Sequence, residues 1–273
     1  MSTTEKDMPF LAHLEELRWH IIRALIAIVG VALLAFIFKD FIFDGIIFAP
    51  KNKAEFPTYK LLCKGARFLG FEGNFCTAEF PFRIQSRTMA GQFSAHIWTS
   101  ITAGFIVAFP YVIYEFWKFV SPGLKRSERS TARGFIAIAS LLFFCGVCFG
   151  YYVITPLSIN FLGTYHVSQE VFNDFDLSSY IALVRASVLA SGVIFELPIL
   201  IYFLTKLGIA TPKSLKKYRK FAIVIVLILS AVITPPDIAS QVIVAVPVLI
   251  LYEISIHISR IVIRNQEKKL SNE

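Results

Sequence analysis

At 273 residues, 56% of them hydrophobic and with a mean hydropathy of +0.64, the chain carries more apolar surface than one soluble core of that length buries. The formal net charge of +8, from 27 basic against 19 acidic residues, is what basic loops beside anionic lipid produce. With no aromatic-basic groove or nucleic-acid motif, it excludes nucleic acid as a partner and leaves a polytopic membrane protein.

In chain order, Met8 to His20 reads as a short cytoplasmic amphipathic helix. Asp7 is a candidate cap, Pro9 sits in the first turn, and Leu14, Leu17 and Ile21 share one face while His13, Glu16 and His20 share the other. The adjacent carboxylates Glu15 and Glu16 stand where a membrane flank usually carries Lys or Arg, which points to a binding site for a cation. The first apolar run, Trp19 to Phe38, is too long for a signal-peptide core, has an acidic flank and lacks a cleavage site, so it is expected to be retained.

A polar loop, about 39–91, follows with Pro50, Pro57, Gly65, Gly70, Gly73 and Pro81. Cys63 and Cys76 lie in it, and a disulfide between them or two free thiols are both open; Cys145 and Cys148 sit in an apolar run and read as packing residues. Further apolar segments cover Phe93 to Val120, Gly134 to Phe161, Tyr180 to Leu204, Phe221 to Ile233 and Ala239 to Ile258, giving six in all. The fifth is about half a usual span before Thr234-Pro235-Pro236-Asp237 stops it. A short tail, 260–273, ends the chain, which reads as one six-helix membrane domain over 1–273 with no soluble domain or repeat.

The short loops set the orientation. Lys125, Arg126, Arg129 and Arg133 follow segment two, and Lys206, Lys213, Lys216, Lys217, Arg219 and Lys220 follow segment four, so both loops are expected in the cytoplasm. Glu170, Asp174 and Asp176 follow segment three without Lys or Arg and face outward. Both termini are then cytoplasmic; the mixed-charge first loop, with seven basic residues from Lys51 to Arg87, dissents but is forced outside by alternation. Pro110, Pro156, Pro198 and Pro247 each remove a backbone donor within an apolar segment, which predicts bent helices and a concavity suited to receiving another chain.

Glu196, in Phe195-Glu196-Leu197-Pro198, lies inside the fourth segment, where an ionisable group costs about 2.5 to 3.5 kcal/mol and therefore faces a cavity or partner. Glu115 reads as a solvated charge at the end of segment two, and Glu253 and His257 as a local hydrogen-bonded pair. The chain contains no zinc helix, phosphate-cradling loop or nucleophile elbow, and its five histidines are scattered, so neither catalysis, a metal nor a cofactor is expected.

Ordered motifs then extend over nearly the whole chain: Pro9-Phe10, His13 to Arg18, Phe116 to Leu124 leading to Glu128-Arg129, Phe195 to Pro198, Thr234 to Asp237 and Tyr252-Glu253. In these the chain resembles the TatC family, the large subunit of the twin-arginine protein translocase. The resemblance implies an all-α polytopic protein of the bacterial cytoplasmic membrane, with six helices in a cupped arrangement and both termini inside. It implies a receptor for twin-arginine signal peptides of folded cargo, working with single-span partners of the TatA and TatB type in a multi-copy hetero-oligomer driven by the proton-motive force.

By motif, Glu16 and Glu128 look like the carboxylates that receive the two guanidinium groups, with Arg18, Phe119 and Pro122 shaping the same face. A planar guanidinium forks onto a carboxylate with charge-assisted bonds of about 1.5 to 3 kcal/mol, which Lys does not reproduce. Glu196 becomes a candidate contact for a polar residue of a single-span partner, and Pro50 and Asp237 match outward positions that stabilise loops. Ser130 where another basic residue often follows, the enlarged loop around Cys63 and Cys76, and Arg185 at a usually apolar position depart from the pattern. The alternative is a proton-coupled small-solute transporter with Glu196 as its relay.

Overall fold

A computed structural model describes residues 10–52, 54–68, 76, 80, 82–120, 132–168, 170–171, 173–234 and 237–270. The elements in order are α1 (Phe10–Ile37), a π-helical turn (Phe41–Ile47), a 3-10 turn (Ala49–Lys51), α2 (Pro57–Phe68), β1 (Arg83–Gln85) and α3 (Gly91–Val120). After them come α4 (Ala132–Phe149), a π-helical turn (Gly150–Ile154), α5 (Thr155–Thr164), β2 (Asp174–Asp176), α6 (Leu177–Phe195) and α7 (Leu197–Lys206). The chain closes with α8 (Pro212–Lys217), α9 (Arg219–Ile233) and α10 (Ile238–Leu270).

Among the described residues, five helical stretches are long and apolar enough to cross a membrane: Glu15–Ile37, Gly91–Val120, Gly134–Thr164, Leu177–Lys206 and Ser240–Glu267. α9, the remaining apolar run, has 15 residues, about 22 Å of helix against a hydrocarbon core of about 30 Å. Helices are what such sequences must form, because a bilayer offers backbone N–H and C=O groups no partners but each other.

One expectation needs correction, and two others take a definite form. The amphipathic helix placed over 8–20 is not a separate element: from Phe10 its residues are the first turns of α1, since nothing in Phe10–Ile37 breaks the hydrogen-bond ladder. The tail expected over 260–273 is helical to Leu270, as a continuation of α10. Pro110 and Pro247 lie inside unbroken helices, whereas Pro156 and Pro198 sit in the first turns of α5 and α7, where a missing N–H leaves nothing unpaired.

The chain divides into two compact units. In the first, residues 1–38 and 96–141, α1 packs on α3 through Gly104, where an added Cβ would lie 2.7 Å from the Ile28 carbonyl oxygen. His96 stacks on Phe36, ring centroids 3.8 Å apart, and its Nε2 is 3.0 Å from the Phe36 carbonyl oxygen. Trp117 packs on Phe135 of α4 at 4.6 Å.

In the second unit, residues 39–95 and 142–273, Tyr59 is the pin of the loop that follows α1. It is almost wholly buried, and its hydroxyl donates to the carbonyls of Pro50 (3.2 Å) and Pro156 (2.9 Å). Burial pushes its hydroxyl pKa well above the usual tyrosine value. Cys63, midway along α2, is joined to Cys76 in a disulfide. β1 and β2 pair in parallel, Arg83 with Asp174 and Gln85 with Asp176. Asp176 caps α6 by accepting from the Ser178 N–H at 3.0 Å and also accepts from the Arg87 N–H at 3.1 Å.

The run Gly146-Val147-Cys148-Phe149-Gly150 places two glycines one helical turn apart against α6, with Ser191 and Ser187 opposite. A Cβ at either glycine would stand 2.6 Å from the carbonyl oxygen of the facing serine, so only glycine permits this approach. Cys145 and Cys148, read as packing residues, are instead exposed thiols on α4. α7 and α10 share Ile201, Tyr252 and Ile256, and the Thr205 hydroxyl donates to Ser259 at 2.9 Å. α9 meets α10 through Val226, Ala245 and Val248.

Gly146→Leu is expected to destabilise the protein by on the order of 1 to 3 kcal/mol in detergent unfolding. Gly30→Ala, where an added Cβ meets nothing within 4 Å, is expected to leave the unfolding curve in place or raise it slightly. For Asp176, the Arg87 and Ser178 N–H groups hold the carboxyl below the usual aspartate value. Its stabilisation is therefore full at neutral pH and lost as pH falls through the folded-state value. Thermal unfolding should show wild type above Asp176→Ala at pH about 7, with the gap closing below the aspartate range of about 4.

Candidate functional site

Glu115 lies one turn before the end of α3, with Tyr111 one turn earlier and Lys118 three residues on. It was expected as a solvated charge, yet it is only 2% exposed. A carboxylate removed from water costs several kcal/mol unless it is paired and hydrogen-bonded. The pairing comes from α1: His20 Nδ1 is 2.6 Å from Glu115 Oε2, and Arg23 Nη1 is 3.9 Å from the same oxygen. Lys118 Nζ stands 3.8 Å from Oε1. Glu115 thus carries its negative charge in a nest of donors.

The other nitrogen of the His20 ring faces along α1 toward Glu16, with Nε2 to Oε1 at 4.0 Å. Four residues is one helical turn, so the two side chains stand one above the other. Glu16 is half-buried, and its Oε2 has no hydrogen-bond partner among the described residues. Phe119 packs edge-on against His20, ring centroids 6.3 Å apart and planes at 63°. Arg18 is exposed on the same helix. Of the five residues expected around a bound peptide, Glu16, Arg18 and Phe119 therefore fall in one unit, and Pro122 and Glu128 lie outside the described residues.

Sequence reasoning missed Glu115 and underused His20. The repeat of polar residues at one-turn spacing on each helix, Glu16 with His20 and Tyr111 with Glu115, was the available signal. Their meeting across 95 residues is a tertiary fact that spacing alone does not carry.

Glu196 belongs to the second unit and forms the joint between α6 and α7. Its N–H donates to the Val193 carbonyl at 3.1 Å, and its own carbonyl accepts from Ile199 and Leu200, both at 3.0 Å, which leaves Pro198 without a bond to make. The carboxyl is half-buried beside the backbone of Phe143 on α4, and Oε1 has no hydrogen-bond partner among the described residues. Asp237 accepts from the Ser240 N–H (2.9 Å) and hydroxyl (2.7 Å), capping α10, and Pro50 is held by Tyr59. Glu253 does not pair with His257: Arg219 of α9 takes it in a two-pronged bridge, 2.7 and 2.8 Å. Among the described residues no group of His, Cys, Asp and Glu is arranged to hold a metal ion.

Comparison with known proteins agrees along the length of the chain. The family model for the Sec-independent protein translocase protein TatC matches residues 12–247. The TatC protein of Blattabacterium from Periplaneta americana is 44% identical over 260 residues, 95% of this chain and 97% of that one. The Aquifex aeolicus TatC is 32% identical over 262 residues, covering 96% and 98%. A crystal structure of the twin arginine translocase receptor TatC superposes with a TM-score of 0.68 at 31% identity, covering 92% of this chain and 99% of that one. This chain, an all-helical polytopic membrane protein, belongs to the TatC family of Sec-independent protein translocase proteins.

Proposed function

We propose that this chain is the receptor subunit of a twin-arginine translocase in a bacterial inner membrane, with both termini in the cytoplasm. It binds signal peptides carrying paired arginines on the cytoplasmic face, and Glu16 and Glu128 each receive one guanidinium. The observation that carries this reading is the half-met Glu16 carboxylate, whose Oε2 has no partner among the described residues. A buried acceptor without a donor is a cost that an arriving guanidinium removes. The solved structure this chain resembles is itself described as a twin arginine translocase receptor.

Single-span partners of the TatA and TatB type then join the complex, and Glu196 meets a polar residue of one of them. An uncommitted carboxyl at a helix joint is suited to a hydrogen-bonding partner inside the membrane. The small-solute transporter reading finds no support in the relatives, which are named as protein translocase components.

Purified protein is expected to bind an Arg-Arg signal peptide well above its Lys-Lys counterpart. Glu16→Gln and Glu128→Gln should each weaken the Arg-Arg complex by roughly 10- to 150-fold, the equivalent of about 1.5 to 3 kcal/mol, without affecting insertion. Equal, weak binding of both peptides, or unchanged affinity in the double variant, defeats the reading. Glu196→Ala is expected to keep peptide affinity and lose co-purification of the single-span partners; the reverse pattern would move Glu196 into the peptide site.

A further inference from the structure

The ionic pairing of Glu115 determines what His20 offers its other neighbour. Arg23 Nη1 and Lys118 Nζ stand 3.9 and 3.8 Å from the Glu115 carboxylate, a pairing that favours its ionised form, and an ionised carboxylate only accepts hydrogen bonds. The 2.6 Å contact therefore places a proton on His20 Nδ1. In the neutral ring the opposite nitrogen, Nε2, is then an acceptor. It stands 4.0 Å from Glu16 Oε1, too far for a bond between the two and spaced for one guanidinium to donate to both. Phe119 packs edge-on beside the same ring.

We propose that His20 is a second acceptor for the arginine received by Glu16, and that Glu115 is the positioning residue that makes it one by fixing the proton on Nδ1. This rests on the reading of Glu16 as an arginine contact. Glu115, being buried, never touches the peptide. Protonating Nε2 removes the acceptor and places a positive charge where the guanidinium must sit. The proton and the arginine then compete for one position. The charged and titratable groups around the His20–Glu115 pair are Glu16 and Arg23 on α1 and Tyr111 and Lys118 on α3.

The test is the affinity of full-length protein in nanodiscs for a fluorescent Arg-Arg signal peptide between pH about 6 and 8. Wild type should lose affinity on going from pH about 8 to about 6. His20→Gln keeps a donor for Glu115 and an acceptor for the arginine but does not titrate, so it should bind nearly as well as wild type at the upper pH and show no slope. His20→Leu should bind weakly throughout. Glu115→Gln should shift the pH at which affinity falls downward, because the protonated ring loses its counter-charge. A flat wild-type profile, a His20→Gln profile with the wild-type slope, or an unmoved Glu115→Gln profile overturns the proposal. Glu16→Gln separates the two readings. If it loses affinity at every pH while His20→Gln keeps the slope, only the His20 assignment falls; if it binds like wild type, the Glu16 contact falls and this assignment with it.

Discussion

A bilayer supplies no hydrogen bonds, and that single constraint organises this chain more than any local propensity. Every polar group within the apolar stretches must find a partner in the protein or be left available. The helical ladders satisfy most of the backbone, and the places where they are interrupted show how the rest is met. At Glu196 the ladder is handed from α6 to α7 by the Glu196 carbonyl, which accepts from two amides while Pro198 removes the donor that would have been orphaned. At Gly150–Ile154 a π-helical turn absorbs the approach to Pro156, whose carbonyl is then taken by Tyr59.

Within that constraint the acidic side chains divide by how fully they are met. Asp176 and Asp237 are spent on helix caps, and Glu253 on Arg219. Glu115 is buried and met by donors from two helices, so its charge is structural capital already committed to holding α1 against α3. Glu16 and Glu196 differ from these: each keeps one buried oxygen without a partner among the described residues. These two unmet carboxylates are the ones on which the proposed peptide and partner contacts rest.

Much of this was legible in the sequence. The apolar runs gave the helices, and Pro198 pointed to an irregularity in the fourth segment, which the structure resolves as the joint between α6 and α7. The family motifs named Glu16. The continuity of α1 through Trp19 was hidden by amphipathic decoration, since a charged face looks like a boundary whether or not the ladder stops there. The close approach at Gly146 and Gly150 was written as a small residue every fourth position, a signal that a scan for bilayer length passes over. Glu115 was misread for a deeper reason. A Glu three residues before a Lys at a helix end is the normal appearance of a headgroup flank, and only the fold reveals that His20 lies 2.6 Å away.

That misreading bears on how the proposed recognition site and the packing of α1 on α3 share one side chain. A carboxylate that simply faced water would bind arginine but would hold nothing in place. By sharing one imidazole between a committed carboxylate and an uncommitted one, the chain places the ring by its stronger contact and leaves the weaker, 4.0 Å side open. The asymmetry of the two distances matters more than either alone. Were both short, His20 would be consumed in bridging and its Nε2 would have nothing to offer. Were both long, Glu115 would be a buried charge with too few partners, and the packing of α1 on α3 would lose the interaction that offsets its desolvation.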